Sequence, residues 1–253
     1  MLVIGIDCAV SDKNIGLAKG KVTTADQTDN QAQTFEVEVT DAVRGGEEPV
    51  LDTLIRWISD DEEVILCLDA PLGWPKAMGE ELIRHRAGDV IKTTMNDLFT
   101  RHTDNFLREK IGKRPMEVGA NLIARTAHAA LKLLEQLREV TGEEIPLAWN
   151  PKLRKRIEAI EVYPAGTLVA RNWKAGGYKK KANVGFRTAL LDQIAREMNI
   201  SLIRSIATDS HHVIDAVLCT LTGLDFLNNR CYEPDKPDLE RKEGWIWFLR
   251  SEL

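Results

Sequence analysis

No stretch of the 253-residue chain approaches the roughly 18 consecutive apolar residues that a membrane-crossing helix needs. The opening apolar run, Leu2 to Ile6, stops at Asp7 and is too short for a usual secretory signal. No membrane association is therefore expected, and a cytoplasmic location is. Cysteine is scarce: Cys8, Cys67, Cys219 and Cys231 show neither a CxxC pair nor zinc-ligand spacing. Three of them lie in apolar stretches and read as reduced core thiols, which suits the same compartment. Positive charge is in deficit, with a formal net charge of -5, and this argues mildly against a protein that coats nucleic acid. Internal repeats and low-complexity segments are missing too. An apolar fraction of 43% and a charged fraction of 29% are those of an ordinary globular chain, which excludes general disorder. The length fits one domain carrying a sizeable insertion.

The charge is unevenly spread. From Lys152 to Arg187 ten Lys or Arg residues face only Glu158 and Glu161, so that stretch carries +8 and the rest -13. A basic region on an acidic protein is either a site for an anionic partner or a solvated charged face.

Leu2–Ile6 reads as a buried strand with Asp7 at its tip. Asn14–Lys21 and Gln33–Thr40 follow as strands, the second alternating with Phe35, Val37 and Val39 on one face, and residues 23–30 suit a hairpin between them. Helical spacing of Val50, Leu51, Leu54, Ile55 and Ile58 begins after Pro49. Val64–Leu68 is a continuous apolar run ending at Asp69 and stopped by Pro71, Gly73 and Pro75, the pattern of a parallel strand covered on both faces. Residues of about 76–156 are expected to form a helical insertion. It holds a charged helical stretch over 78–91, a polar segment from Arg101 to Glu109, and an amphipathic helix whose face runs from Leu122 to Val140. Ile157–Tyr163 is the next strand. A Gly-rich basic loop, Lys174–Asn183, leads to a helix over Val184–Asn199, then a helix from about Asp209 to Leu227, and Gly244–Phe248 adds a terminal strand. Three antiparallel strands followed by helix-crossed parallel strands match a ribonuclease H-like α/β sheet flanked by helices. One such domain spans 1–253.

Asp7 and Asp69 each end an apolar strand and precede a turn. Ligands of open α/β sheets collect beyond the carboxyl ends of strands. Two carboxylates brought together there repel, and one keeps its proton unless a cation intervenes. Such oxygen-rich sites suit Mg²⁺ or Mn²⁺. In Ser210–Ala216, Asp215 lies three residues from His212 and four from His211, so carboxylate and imidazole share a helical face. Asp215 can complete a metal-binding set, and a histidine can position or deprotonate a water. Glu161 either faces the same crevice or sits at an edge. Arg101 offers a guanidinium fork for phosphate oxygens, with Asp104 beside it. Gly176–Lys181 offers flexible backbone, one aromatic and three cations, a composition that can grip a phosphodiester and stack on a base. It lacks the spacing of a Walker loop.

The motifs GIDCA (5–9), LDAPLGWP (68–75), RHTD (101–104), EVYPA (161–165), GGYKKKA (176–182), HHVIDAVLCTLTG (211–223) and EGWIW (243–247) resemble an uncharacterised family of predicted ribonuclease H-like nucleases. The resemblance covers most of the chain. It implies that fold, and acidic motifs at Asp7, Asp69, Glu161 and Asp215. It also implies two-metal phosphodiester hydrolysis of the resolvase type.

The leading expectation is a Mg²⁺- or Mn²⁺-dependent nuclease with nucleic acid as its partner. Asp7, Asp69 and Asp215 hold the metal, with Glu161 and His212 completing the catalytic set. Arg101, Asp104, Lys179, Lys180 and Lys181 hold the substrate. The alternatives are an actin-like-fold phosphotransferase or ATPase, and a non-catalytic binding module that retains the fold. A single β-β-β opening counts against the actin-like reading. The oligomeric state is left open, a dimer included.

Overall fold

The computed structural model describes residues 1–24, 34–58, 62–180 and 182–250. The continuous apolar run near the N-terminus forms β1 (Leu2–Asp7), every residue of it buried. It pairs antiparallel with β2 (Gly16–Thr24), which pairs antiparallel with β3 (Phe35–Arg44) through a register shift at Lys19/Gly20. Helix α1 (Val50–Trp57) then crosses to β4 (Val64–Leu68), which lies parallel to β1 with Leu2 opposite Val64 and Ile6 opposite Leu68. β5 (Ile157–Val162) and β6 (Ile246–Trp247) extend the parallel part, and the sheet order is β3-β2-β1-β4-β5-β6. This is the expected ribonuclease H-like sheet. Antiparallel strands open it, parallel strands follow, and the terminal GWIWF segment supplies the far edge.

Strand periodicity sends alternate residues to opposite faces. Val3 of β1 with Ile65 and Cys67 of β4 pack on one face, together with Val213, Val217 and Leu221 of α9 (His211–Leu227). Leu2, Ile4, Ile6, Val64, Leu66 and Leu68 pack on the other, against Leu54 of α1 and Ala130, Leu134 and Leu137 of a long helix over Asn121–Thr141. Both sheet faces are therefore covered, as the uniformly apolar runs require. Glycine lets α9 come this close. A Cβ on Gly5 would stand 1.9 Å from Ala216 O, and one on Gly16 2.0 Å from His212 O.

Between β4 and β5 lie α2 (Lys76–Leu82), α3 (Met95–Phe99), α4 (His102–Ile111) and α5 (Asn121–Thr141). One expectation changes here. The charged stretch 78–91 is helical only to Leu82; Glu81 turns to accept Lys92 N–H and Thr93 Oγ1–H, and Gly88 takes φ +93°. The polar RHTDNFLRE segment, given no state of its own within the expected helical insertion, is a helix started by Asp104 accepting the Arg101 N–H at 3.0 Å. In α5 the buried seam is Ala127, Ala130, Leu134 and Leu137, while Leu122 and Val140 at the ends are exposed.

Beyond β5 come α6 (Pro164–Ala170), α7 (Val184–Ile194), α8 (Arg204–Asp209), α9 and α10 (Pro237–Glu243). α7 stops five residues before the expected Asn199, and α9 starts at His211 with Ser210 as its N-cap. The expected hairpin connection falls mostly on 25–33, outside the described residues. Among the described residues no helix is long and apolar enough to cross a membrane.

Candidate functional site

Asp7 closes β1 and Asp69 follows β4 directly, its N–H donating to Ile6 O at 2.9 Å. Adjacent parallel strands thus deliver two carboxylates to one sheet end. Asp7 continues the odd-numbered face that carries Val3 and packs on α9. Asp215 sits one turn into that helix and is 1% exposed. The three aspartates repel one another through desolvated surroundings. Asp7 is pushed up to about 8, chiefly by burial and next by the charge of Asp215. The Asp69 carboxyl is raised well above the usual range by burial, then by Asp7 and Asp215. In both cases Lys179 is the cation that opposes the rise. The repulsion expected of paired carboxylates is therefore present.

His212 Nδ1 stands 2.7 Å from Asp7 Oδ2. Burial lowers the His212 pKa while it raises that of Asp7, so at neutral pH a neutral imidazole meets a protonated carboxyl and one proton lies between them. His211 stacks beside His212 at 4.0 Å between ring centroids. Asp215 Oδ1 accepts the Tyr178 hydroxyl at 2.5 Å. Asp215 Oδ2 is buried and pairs with the Lys179 ammonium 2.7 Å away.

Glu161, Arg101 and Asp104 form a buried ion-pair cluster beside Asp69. Glu161 is opposite Leu68 in the β4–β5 register, and Leu68 belongs to the face away from α9. Parity turns Glu161 to the other sheet face, yet its charge adds to the rise of Asp69 and both residues line one cavity. Arg101, 2% exposed, spends all five N–H donors internally. Nη1 reaches Glu161 Oε2 (2.8 Å) and Glu243 O (3.2 Å), Nη2 reaches Glu161 Oε1 (2.6 Å) and Asp104 Oδ1 (2.9 Å), and Nε reaches Asp104 Oδ2 (3.2 Å). Glu161 also accepts Leu72 N–H at 2.9 Å. None of these groups is free for a metal or a phosphate. The expectations that Glu161 joins the acidic set, and that Arg101 and Asp104 hold substrate, do not match this arrangement.

The basic stretch is likewise largely consumed. Arg156 pairs with Glu143, Lys155 with Glu144 and Arg171 with Asp225, and Arg187 donates to the carbonyls of Tyr178, Lys180 and Thr208. Lys179 and Lys180 remain at the surface, and Lys181 lies outside the described residues. Tyr178, the aromatic expected to stack on a base, is 1% exposed and serves Asp215 instead. Its role was hidden because Tyr178 and Asp215 are 37 residues apart. The only hint was an aromatic embedded in GGYKKK. Beside Asp69 opens a cavity of about 270 Å³ whose walls include Tyr163, Lys179, Met116 and Ile123.

Among the described residues, one set of three His or carboxylate ligand atoms lies within 4.8 Å of one another, at His102, Asp235 and Glu240. Hydrogen bonds account for it: Glu240 accepts the N–H groups of Asp235 (3.2 Å) and Lys236 (3.0 Å) at the start of α10, and His102 Nε2 meets Asp235 Oδ1 at 2.6 Å. The oxygens of Asp7 and Asp215 are engaged instead by His212, and by Tyr178 and Lys179, respectively.

No curated protein matches the sequence. Among solved structures, a Thermus thermophilus RuvC structure is similar over 89% of this chain and 95% of its own, at 14% identity and a TM-score of 0.33. The sequence of residues 5–239 matches the family described as "Protein of unknown function (DUF429)", a span that takes in Asp7, Asp69, Glu161 and Asp215. The chain belongs to that family.

Proposed function

We infer that the protein is a divalent-metal-dependent phosphodiester hydrolase acting on nucleic acid. The observation that carries this reading is the gathering of Asp7, Asp69 and Asp215 at one sheet end, in surroundings that keep Asp7 protonated up to about pH 8. Burying Asp7 and Asp215 with the half-buried Asp69 beside them costs stability unless a cation compensates. The buried Asp215 Oδ2, whose partner is the Lys179 ammonium, is an oxygen of the hard type that Mg²⁺ and Mn²⁺ take. Asp7, Asp69 and Asp215 would hold the ion. When bound, it supplies Lewis acidity toward a phosphoryl oxygen and lowers the pKa of water.

The chain's own residues supply the rest. His212 pairs with Asp7 through Nδ1; when Asp7 is ionised, as it would be on an ion, Nδ1–H donates to it and Nε2 is left free to accept a proton from water. Lys179 and Lys180 stand at the mouth of the centre, where a phosphodiester would arrive, with Lys181 next in sequence. The segment of about 76–156 acts as an insertion on one ribonuclease H-like domain, and its Met116 and Ile123 wall the cavity beside Asp69. The reading places the protein in the cytoplasm.

The test is cleavage of single-stranded, duplex and branched DNA and RNA by purified protein with Mg²⁺, Mn²⁺ or chelator. Metal-dependent cleavage lost in Asp7→Asn and Asp215→Asn supports the reading. No cleavage of any substrate with either metal, or full activity in Asp7→Asn, refutes it.

A further inference from the structure

Lys179 is placed unlike an ordinary surface lysine. Its backbone is held from both sides. Tyr178 before it is buried and bonded to Asp215, and Arg187 donates to the carbonyls of Tyr178 (3.1 Å) and Lys180 (3.0 Å). Asn183 Nδ2 closes the loop onto Gly177 O at 2.8 Å, and Gly177 takes φ +100°, a conformation that suits glycine. This scaffold aims the ammonium at Asp215 Oδ2, 2.7 Å away, while the Lys179 side chain stays 57% exposed.

Asp215 has no free oxygen left. Tyr178 takes Oδ1 and Lys179 faces Oδ2, so an ion on Oδ2 must share that oxygen with the ammonium or displace it. Glu161 adds no fourth ligand because Arg101 and the Leu72 N–H already hold its oxygens. Three aspartates then carry three negative charges. One lysine and one divalent ion balance them; two divalent ions beside the same lysine leave two positive charges in excess. Water-poor sites of this kind penalise uncompensated charge of either sign.

We propose that Lys179 is a built-in cation filling one of the two cation positions expected of this acidic centre, so that the wild-type site takes a single divalent ion. This rests on the metal-dependent reading above and deepens it. The ion's ligands come from Asp7 and Asp69 with a share of Asp215, and the Lys179 ammonium supplies the second positive charge to the phosphodiester.

The experiment is Mn²⁺ titration of the purified full chain at pH 8, without substrate, read by electron paramagnetic resonance for stoichiometry and for coupling between ions. Wild type is expected to bind one uncoupled ion. Lys179→Met, which removes the charge and keeps the length, is expected to bind a second, coupled ion, or one ion about tenfold or more tighter. Lys179→Arg, which keeps the charge, should still bind one. Circular dichroism confirms that each variant is folded. Two coupled ions in wild type overturn the proposal and leave a metal-dependent hydrolase standing, as does a Lys179→Met protein with one ion at unchanged affinity. No bound Mn²⁺ in any of the proteins overturns the metal centre itself, and this proposal with it.

Discussion

Replacing Arg101 by Met should cost the protein about 3–5 kcal/mol, the range for removing one partner of a buried ion pair. The figure follows from what the guanidinium leaves behind. Five internal hydrogen bonds disappear, and Glu161 and Asp104, 3% and 2% exposed, become unpaired buried carboxylates. A methionine of similar length fills much of the volume, so the loss is electrostatic more than a cavity. Glu161→Gln should cost less, about 1–3 kcal/mol, because Asp104 still pairs with Arg101 and the amide oxygen can still accept Leu72 N–H. The double variant Arg101→Met/Glu161→Gln should fall well short of the sum, since the two singles remove the same contacts. Urea unfolding at pH 7, followed by tryptophan fluorescence and circular dichroism, gives all three numbers. A loss under about 1 kcal/mol for Arg101→Met, the size of an exposed pair, would refute the clamp. It would return Arg101 to the role of a phosphate ligand, most plainly if stability held while nucleic-acid affinity fell.

Three further outcomes are expected. Without metal, stability should fall as pH rises from about 4 to about 8, because the folded state holds the Asp7 proton up to about 8 against 3.8 when unconstrained; the slope is at most about 1.4 kcal/mol per pH unit. Added Mn²⁺ should restore progressively more stability over the same window, since it binds the ionised carboxylate, and thermal melts with chelator or Mn²⁺ at pH 5, 7 and 9 would expose the opposite trend. Gly16→Ala should destabilise by about 2 kcal/mol or more and weaken Mn²⁺ binding, because its Cβ would meet His212 O at 2.0 Å, whereas Gly79→Ala, with nothing within 4 Å, should be neutral or slightly stabilising in the same urea assay. His212→Ala should lower Mn²⁺ affinity about 10–100-fold through loss of the Asp7 contact while leaving the urea midpoint nearly unchanged; calorimetry showing wild-type affinity would count against the pairing.

Legibility in the sequence followed the range of the interaction. The apolar runs of β1 and β4 and the seam of α9 are local patterns, since burial on both faces demands uninterrupted apolar residues and a helix shows its packing face every three or four positions. From them follow the order of elements along the chain and the expectation of Asp7 and Asp69 at strand ends with Asp215 on a helix packed against the sheet. The RHTD helix and the early end of α2 escaped because side-chain capping and a left-handed glycine outweighed composition. Glu161 escaped for another reason: alternation states which residues share a face, but only pairing of β5 with β4, Glu161 opposite Leu68, says which face it is. Arg101 finds Glu161 at a separation of 60 residues, and Lys179 finds Asp215 at 36, distances across which no local pattern specifies a partner. The sequence by itself determined that carboxylates would stand at the strand ends. Tertiary structure decided which of them are neutralised within the fold and which are left for a cation, because charge compensation depends on what lies within a few ångströms in space, wherever it falls along the chain.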